Sequence, residues 1–220
     1  MSRVISIQGA DDLTQTIEEA AEILRSGGVV LYPTDTTYAL AANALDERAV
    51  DRVFQVKGRD YSKPIHVIVR DIEQAAQYVV VGETARMIAD HFLPGALTLV
   101  LPLREDSGIT PLLIAGGATL GVRIPDHPIC EALSNALPFP VTTTSANRSG
   151  MPNTYSVEAV QEQLGADFDK IDLTLDVGKL DSSSVSTVIA LEGESVKLIR
   201  EGAIPFSILS DFLTQHGRKV

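Results

Sequence analysis

The chain has 220 residues and a formal net charge of −11 at pH 7, with 45% hydrophobic and 21% charged residues. This composition is typical of a globular protein that buries a sizeable core, and the acidic balance argues against a broad nucleic-acid surface, which is normally basic. No apolar run reaches the roughly 18 residues that a membrane span requires. The single cysteine, Cys130, excludes an internal disulfide and a multi-cysteine metal site.

The predicted elements alternate irregularly between strands and helices. In chain order, the first half predicts a strand over 4–7, a helix over 11–26, a strand over 29–32, a helix after Asp46, a strand over 65–69, a helix over 83–92 and a strand over 96–101. Residues 105–117 are polar and glycine-rich, which indicates a loop with room for one helical turn over 111–115. The second half predicts a strand over 119–124, a helix over 128–137, a strand over 139–145, a helix capped by Ser156 and ending at 164, strands over 171–176, 185–191 and 196–200, and a short helix after Pro205.

This order predicts one α/β domain over residues 1–220, with a large twisted sheet of mixed parallel and antiparallel strands flanked by helices. We find no internal repeat, no low-complexity segment and no linker-like run. The N-terminus leads directly into an apolar tetrapeptide without a cleavage motif, so the sequence predicts no signal peptide. Together with the single cysteine, this favours a cytoplasmic protein.

A basic segment follows the helix that Asp46 is expected to cap. Gly58 is placed to end that helix in the left-handed conformation. Lys57 precedes this glycine, and Arg59 and Lys63 come shortly after it. Because Val50, Val53 and Phe54 carry the apolar face of that helix, we expect Lys57 to be largely dispensable for packing and to act through its charge.

Three clusters of hydroxyl side chains stand where predicted strands end, over residues 34–37, 142–145 and 182–187. Any one of them is explained by the preference of Thr and Ser for strands and turns. Together with five cations, they favour a pocket for a small anionic ligand, because hydroxyls both donate and accept hydrogen bonds. These cations are Lys57, Arg59, Lys63, Arg123 and Arg200.

The standard nucleotide and metal fingerprints are absent from the sequence. There is no GxxxxGK[ST] motif and no GxGxxG motif after a strand. The four histidines have no metal-ligand spacing, so we expect no protein-bound transition metal. Cys130 lies on an apolar helical face and is predicted to be a buried, unreactive thiol. Ser145 has no GxSxG context and no partners placed to form a catalytic triad.

Seven segments resemble, in order and spacing, the YrdC-like family of threonylcarbamoyl-adenylate synthases. The resemblance extends from about residue 27 to about residue 204. The segments are YPTDTTYAL (32–40), KGRDYSKP (57–64), PGALTLVL (94–101), GVRIPDHP (121–128), TTSANRSG (143–150), VSTVI (185–189) and LIREGAI (198–204). The hallmark of this family is KxR followed far downstream by SxN, which stands here as Lys57/Arg59 and Ser145/Asn147.

The resemblance implies the YrdC-like fold and synthesis of threonylcarbamoyl-AMP and pyrophosphate from ATP, L-threonine and bicarbonate, a nucleotidyltransferase reaction. It implies that Lys57, Arg59, Ser145 and Asn147 are catalytic. The residues implied to contact threonine are Thr36, Arg123, Thr143 and Ser186. Those implied to contact ATP are Arg59, Lys63, Thr119, Ser145, Asn153 and Arg200.

The resemblance also implies partners and a cofactor. Mg²⁺ would arrive with ATP and be held by phosphates and water rather than by a dedicated protein site. A separate threonylcarbamoyl-transferase complex would use the product to modify an adenosine of tRNA, so we expect at most transient contact with tRNA and none with a membrane. The longer members carry a C-terminal domain, which this chain is expected to lack.

Two departures and two alternatives stand beside this interpretation. Ala39 and Ala41 replace the glycines of the family's YGLG segment, and Val185 replaces an acidic residue beside the implied threonine site. One alternative is a YciO-like paralogue that binds nucleotide or RNA without making the adenylate, although such relatives have eroded hallmark motifs. The other alternative is the related domain of hydrogenase-maturation carbamoyltransferases. Those chains carry cysteine-rich zinc motifs, and the single cysteine of this chain excludes that architecture.

Overall fold

The computed structural model describes residues 2–7, 13–181 and 184–218. Its strands are β1 (Arg3–Ser6), β2 (Val30–Pro33), β3 (Tyr38–Ala41), β4 (His66–Ile68), β5 (Leu97–Pro102), β6 (Thr119–Arg123), β7 (Val141–Ser145), β8 (Leu173–Asp176), β9 (Thr187–Glu192) and β10 (Ser195–Arg200). Its α-helices are α1 (Leu13–Arg25), α2 (Glu47–Lys57), α3 (Ile72–Ala75), α4 (Glu83–Phe92), α5 (Pro128–Ala136), α6 (Val157–Leu164) and α7 (Phe206–Gln215). A 3₁₀ helix spans Gly165–Lys170.

The ten strands form one mixed sheet in the order β1-β8-β2-β3-β7-β4-β6-β5-β9-β10. The pairs β1–β8, β2–β8, β4–β6 and β5–β9 are parallel, and the other neighbouring pairs are antiparallel. The predicted α/β fold with a large mixed sheet is therefore confirmed. Antiparallel β7 lies between β3 and β4, so it joins the two halves of the sheet at its centre.

Helices cover both faces of the sheet, and each strand contributes side chains to both, because successive side chains of a strand point to opposite faces. On β3, Ala39 and Ala41 join the apolar cluster formed with α1 and α5. Their neighbours Tyr38 and Leu40 join the second cluster, which α2, α4, α6 and α7 cover. The centre of the sheet is thus buried between two helical layers.

The helix α2 begins and ends where the sequence predicts. The carboxylate of Asp46 accepts hydrogen bonds from the N–H groups of Arg48 and Ala49, which caps the first turn. Gly58 follows with φ of 56°, the left-handed conformation that favours glycine. The N–H of Arg59 donates to the carbonyl of Phe54 at 3.0 Å, so the chain turns sharply out of the helix towards the sheet.

The structure differs from the sequence predictions at several places. The strand β3, the short helix α3 and the 3₁₀ helix were not predicted. Residues 111–115 form hydrogen-bonded turns rather than a helical turn, since Pro111 and the glycines at 116 and 117 interrupt regular bonding. The predicted helix over 11–26 is observed from Leu13, and residues 11, 12, 182 and 183 lie outside the described part of the chain. No described helix is long and apolar enough to cross a bilayer.

Candidate active site

A polar cavity of about 160 Å³ opens where the strands of the central sheet end. Its wall combines hydroxyl side chains with guanidinium groups from segments far apart in sequence. The lining residues are Thr34, Thr36, Thr37, Ala39, Arg59, Pro64, Ile65, His66, Thr98, Arg123, Thr143, Thr144, Ser145, Asn153, Val185, Ser186 and Arg200. The cavity therefore unites residues from all three hydroxyl clusters with three of the five predicted cations.

Most of the sequence-predicted site residues meet in this cavity. Those on its wall are Thr36, Arg59, Arg123, Thr143, Ser145, Asn153, Ser186 and Arg200. Lys57 and Asn147 are buried behind the wall, whereas Lys63 is exposed to solvent. Ala39 and Val185, the two departures from the family pattern that touch the cavity, also line it.

The turn after β2 is organised by the hydroxyl of Thr34. This hydroxyl accepts hydrogen bonds from the N–H groups of Thr36 and Thr37, both at 3.1 Å, and donates to the carbonyl of Thr37 at 2.8 Å. Short side chains that bond to the backbone two or three residues on are a common way to fix such turns. The turn presents the Thr36 hydroxyl to Arg123, whose Nη1 donates to it at 2.8 Å.

Arg123 is buried and held from two sides. Its Nη2 lies 2.6 Å from Oδ1 of Asp35, and the exposed fractions of the two side chains are 6% and 14%. A buried ion pair with this geometry fixes the direction of the guanidinium and leaves few alternative rotamers. Asp35 thus acts as a positioning residue for Arg123, a role that the sequence did not indicate.

Arg59 and Arg200 are fixed by neutral groups rather than by carboxylates. Arg59 donates to the carbonyls of Lys63 and Pro64, at 3.2 and 2.9 Å. Arg200 donates to the carbonyl of Ser186 at 2.8 Å and to its hydroxyl at 3.2 Å. Burial lowers the pKa of both guanidinium groups. Within the described residues neither arginine forms an ion pair, so their positive charge is available to an anion.

Lys57 does not lie where the sequence analysis placed it. Its side chain is 1% exposed. Its ammonium donates to the carbonyl of Asn147 at 2.8 Å and to the Asn147 side-chain oxygen at 3.3 Å, and it also bonds to the carbonyl of Ser145. The expectation that Lys57 is dispensable for packing is therefore wrong, because the C-terminus of α2 packs beneath the loop that follows β7.

The side chain of Asn147 completes this buried arrangement. Its oxygen accepts a hydrogen bond from the hydroxyl of Ser145, and its amide donates to the carbonyls of Arg148 and Met151 at 3.1 and 2.6 Å. The pKa of Lys57 is lowered to about 7, first by burial and then by the charge of Arg59. Lys57 and Asn147 thus shape the loop that carries Ser145 rather than line the cavity themselves.

A second, mainly apolar cavity of about 260 Å³ adjoins the first. The two share Pro64, Ile65, His66 and Arg200 as wall residues. Thr119 lines this second cavity and not the first. A polar and an apolar compartment with a common wall suit a ligand that has a charged part and a flat apolar part.

His66 is a wall residue that sequence reasoning missed. It lies on β4 opposite Thr143 of β7, and its imidazole borders both cavities. Burial and the charges of Arg200, Arg59 and Arg123 lower its pKa to about 4, so the ring is neutral. The available signal was a lone polar residue inside the apolar strand that follows the basic segment.

The described residues contain no cluster of three His, Cys, Asp or Glu side chains able to hold a metal ion. Asp35, which contacts a wall arginine, is committed to its ion pair with Arg123. Cys130 is buried, its thiol donates to the carbonyl of Pro33 at 3.4 Å, and burial raises its pKa. The predicted unreactive thiol is thus what the structure contains.

Comparison with known proteins gives relatives over nearly the whole chain. The model of the Sua5_yciO_yrdC family, described as "Telomere recombination", matches residues 22–202. A protein of Methanocaldococcus jannaschii named putative threonylcarbamoyl-AMP synthase is 37% identical over 200 residues, which are 91% of this chain and 92% of the relative.

Two solved structures have the same fold. The crystal structure of P. abyssi Sua5 complexed with L-threonine superposes with a TM-score of 0.87 at 34% identity, covering 97% of this chain but 61% of the Sua5 chain. The crystal structure of E. coli YciO gives a TM-score of 0.80 at 30% identity and covers 92% of this chain and 97% of YciO. The family match and these relatives agree: the chain belongs to the Sua5/YciO/YrdC family.

Proposed function

We propose that this protein is an L-threonylcarbamoyladenylate synthase, an enzyme of the nucleotidyltransferase class. The observation that carries the proposal is the cavity whose wall combines hydroxyls and Arg123 with Arg59 and Arg200. Neither of these last two arginines has a carboxylate partner among the described residues. Such a wall suits a phosphate chain beside an amino acid. The threonylcarbamoyl-AMP synthase name of the relative at 37% identity supports the same conclusion.

In this proposal the threonine substrate lies against Arg123, Thr36, Thr143 and Ser186. The guanidinium of Arg123 would pair with the substrate carboxylate, and Asp35 holds it in the required orientation. Hydroxyls of the wall would bond to the ammonium and the side-chain hydroxyl. The P. abyssi relative, whose crystal structure contains L-threonine, supports this choice of amino acid.

The nucleotide would lie along the rest of the first cavity's wall and extend into the second cavity. Arg59 and Arg200 would neutralise the phosphates, with Ser145 and Asn153 as hydrogen-bonding partners. The apolar cavity that Thr119 lines would take the base. Lys63 is exposed next to Pro64, a residue of both cavity walls, and from there its ammonium would reach the phosphate chain.

The chemistry requires alignment and charge neutralisation rather than a protein nucleophile. The amine of threonine adds to the carbon of bicarbonate to form a carbamate, whose oxygen attacks the α-phosphorus while pyrophosphate leaves. Arg59 would stabilise the developing negative charge directly. Lys57 and Asn147 would contribute by holding the loop that positions Ser145.

Mg²⁺ is the cofactor that this reaction implies, and the site residues fit an ion that arrives bound to ATP rather than one held by protein ligands. Since the described residues offer no metal-binding cluster, the phosphates of ATP and water would supply its ligands. The ion supplies charge neutralisation of the phosphates. We further propose that a separate threonylcarbamoyl-transferase complex consumes the product for tRNA modification in the cytoplasm, with transient tRNA contact at most.

The direct test incubates the pure protein with ATP, Mg²⁺, L-threonine and bicarbonate, and measures pyrophosphate and threonylcarbamoyl-AMP. We expect both products, and neither when threonine or bicarbonate is omitted. A folded protein that binds ATP and yet makes neither product would refute the proposal. That outcome would favour the YciO-like alternative, a module that binds nucleotide or RNA without synthesis.

A further inference from the structure

The proposed reaction releases one proton, which some group must accept. At neutral pH threonine carries an ammonium group with three hydrogens, and bicarbonate carries one hydrogen. When the N–C bond forms and a C–O bond breaks, the carbamate keeps one hydrogen and the departing water takes two. The fourth hydrogen leaves as a proton. The later attack on phosphorus forms an O–P bond, breaks the bond to pyrophosphate and releases no proton.

Only one kind of side chain on the wall can take that proton. The titratable groups that line the two cavities, among the described residues, are three arginines and His66. A guanidinium stays protonated, and a hydroxyl is too weak a base. Asp35 lies outside the wall and is occupied by Arg123. The imidazole of His66 is therefore the available proton acceptor.

The sheet places this imidazole between the two compartments. His66 pairs with Thr143 on β7, and on its other side β6 brings Gly121 beneath the ring. A Cβ on Gly121 would lie 2.4 Å from Cδ2 of His66, so the ring rests directly on the glycine. The imidazole shares the wall of the first cavity with Thr143 and Arg59, so it faces the compartment proposed to hold both the amino acid and the phosphate chain.

We propose that His66 is a catalytic residue that accepts the proton lost by threonine when the carbamate forms. This inference rests on the proposed function. It assigns a role to a residue that belongs to none of the motifs through which the chain resembles its family.

The surrounding charges couple this role to nucleotide binding. Without ligands, burial and the three arginines lower the pKa of His66 to about 4, so the ring is neutral and has a free lone pair. Phosphates bound to Arg59 and Arg200 would offset their charge, and the threonine carboxylate would offset Arg123, which already faces Asp35. Added negative charge stabilises the imidazolium, so the pKa of His66 rises when the substrates bind. The base thus becomes stronger when the substrates are in place.

The test compares wild-type protein with His66→Phe, which keeps a flat ring over Gly121 but cannot accept a proton. We expect kcat to fall by about 100-fold or more, with KM for ATP and threonine changed by less than about threefold. In the wild type, kcat should fall as pH falls through the pKa of His66 in the complex. The variant should lack that inflection. His91→Phe is the matched control, since His91 is an exposed histidine of α4 outside both cavities.

A second variant, His66→Ala, guards against misfolding of the first. Added imidazole should restore its activity by about tenfold or more, because a small base can enter the space of the missing ring. If wild-type protein makes product and His66→Phe keeps its kcat or changes only KM, the inference is overturned and the proposed function stands. Failure of imidazole to rescue His66→Ala also overturns it. A wild-type protein that makes no product overturns both.

Discussion

The ammonium nitrogen of Lys57 lies 2.8 Å from the carbonyl oxygen of Asn147, a residue 90 positions further along the chain. Through this bond the last residue of α2 holds the loop that follows β7, at the back of the cavity that Ser145 lines. The KxR and SxN segments are thus joined by direct contact. One cation of the pair, Lys57, supports the wall, and the other, Arg59, forms part of it.

Removal of Lys57 should therefore cost stability as well as activity. Lys57→Ala removes the ammonium donor from the buried backbone carbonyl oxygens of Ser145 and Asn147, and each loss costs about 1–3 kcal/mol. For a chain of this size, 1 kcal/mol corresponds to roughly 2–4 °C in melting temperature. Two such losses predict a drop of roughly 4–24 °C in thermal unfolding. Lys63→Ala, which removes an exposed lysine, should melt close to wild type; equal behaviour of the two variants would contradict the structure.

The buried lysine also predicts a pH dependence of stability. Its pKa is about 7 in the folded protein and 10.5 ordinarily, so between these values the unfolded chain binds a proton that the folded chain does not. The free energy of unfolding should therefore rise with pH across this window, by at most about 1.4 kcal/mol per unit. Urea unfolding at about pH 7.5 and about pH 9.5 measures this rise, which Lys57→Met should lack. Identical changes in both proteins would show that other groups cause it.

Arg59 should matter for chemistry much more than for folding. Its guanidinium is half-buried, and its hydrogen bonds within the described part of the chain go to carbonyls of its own loop. Loss of one charged donor at developing charge costs about 2.7–4 kcal/mol, so Arg59→Ala should release pyrophosphate about 100-fold more slowly or worse. Arg59→Lys should recover only part of this rate because an ammonium lacks the planar fork. Arg48→Ala, an exposed arginine change on α2, should leave the rate unchanged; a similar loss there would point to bulk charge.

Threonine should be preferred over serine and valine. A pocket that holds one extra methyl favours threonine over serine by about 1–3 kcal/mol, whereas wall hydroxyls that bond to the substrate hydroxyl reject valine by about 10⁴-fold. The values of kcat/KM for the three amino acids measure both ratios. Ser186→Ala should narrow the gap between threonine and valine.

Ser134→Ala serves as the matched control for that experiment. The Ser134 hydroxyl is buried in α5 and has no hydrogen-bond partner among the residues that the structure describes, and Ser134 is not on the wall of the polar cavity. Its removal should leave selectivity and stability nearly unchanged. Equal use of serine and threonine by the wild type would refute the proposed placement of the amino acid.

The sequence predicted most elements because their signals are local. Asp46 and Gly58 mark the ends of α2 by their own backbone chemistry, and the structure confirms both. The strand β3 was missed because its four residues follow a hydroxyl-rich turn without a break that separates strand from loop. Its pairing with β2 and β7 is a tertiary property that a short apolar run does not reveal.

Prediction of the site residues likewise succeeded where the information is local and failed where it depends on residues distant in sequence. Motif resemblance brought together residues that do line one cavity, Arg123 and Ser186 among them. It could not predict that Lys57 is buried, since the exposure of a helix terminus depends on what packs against it. Nor could it predict His66 or Asp35, because their partners Gly121 and Arg123 come from a strand more than 50 residues away in sequence.

The buried thiol of Cys130 provides a built-in probe of local unfolding. Because it is the single cysteine of the chain and its Sγ bonds to the carbonyl of Pro33, a maleimide or disulfide reagent must wait until α5 separates from β2. The labelling rate therefore measures how often this region opens. A ligand that binds only the closed form at about 100 times its Kd would slow labelling by about 100-fold. Amino acids could then be ranked by their protection of one sulfur atom, without an assay of catalysis.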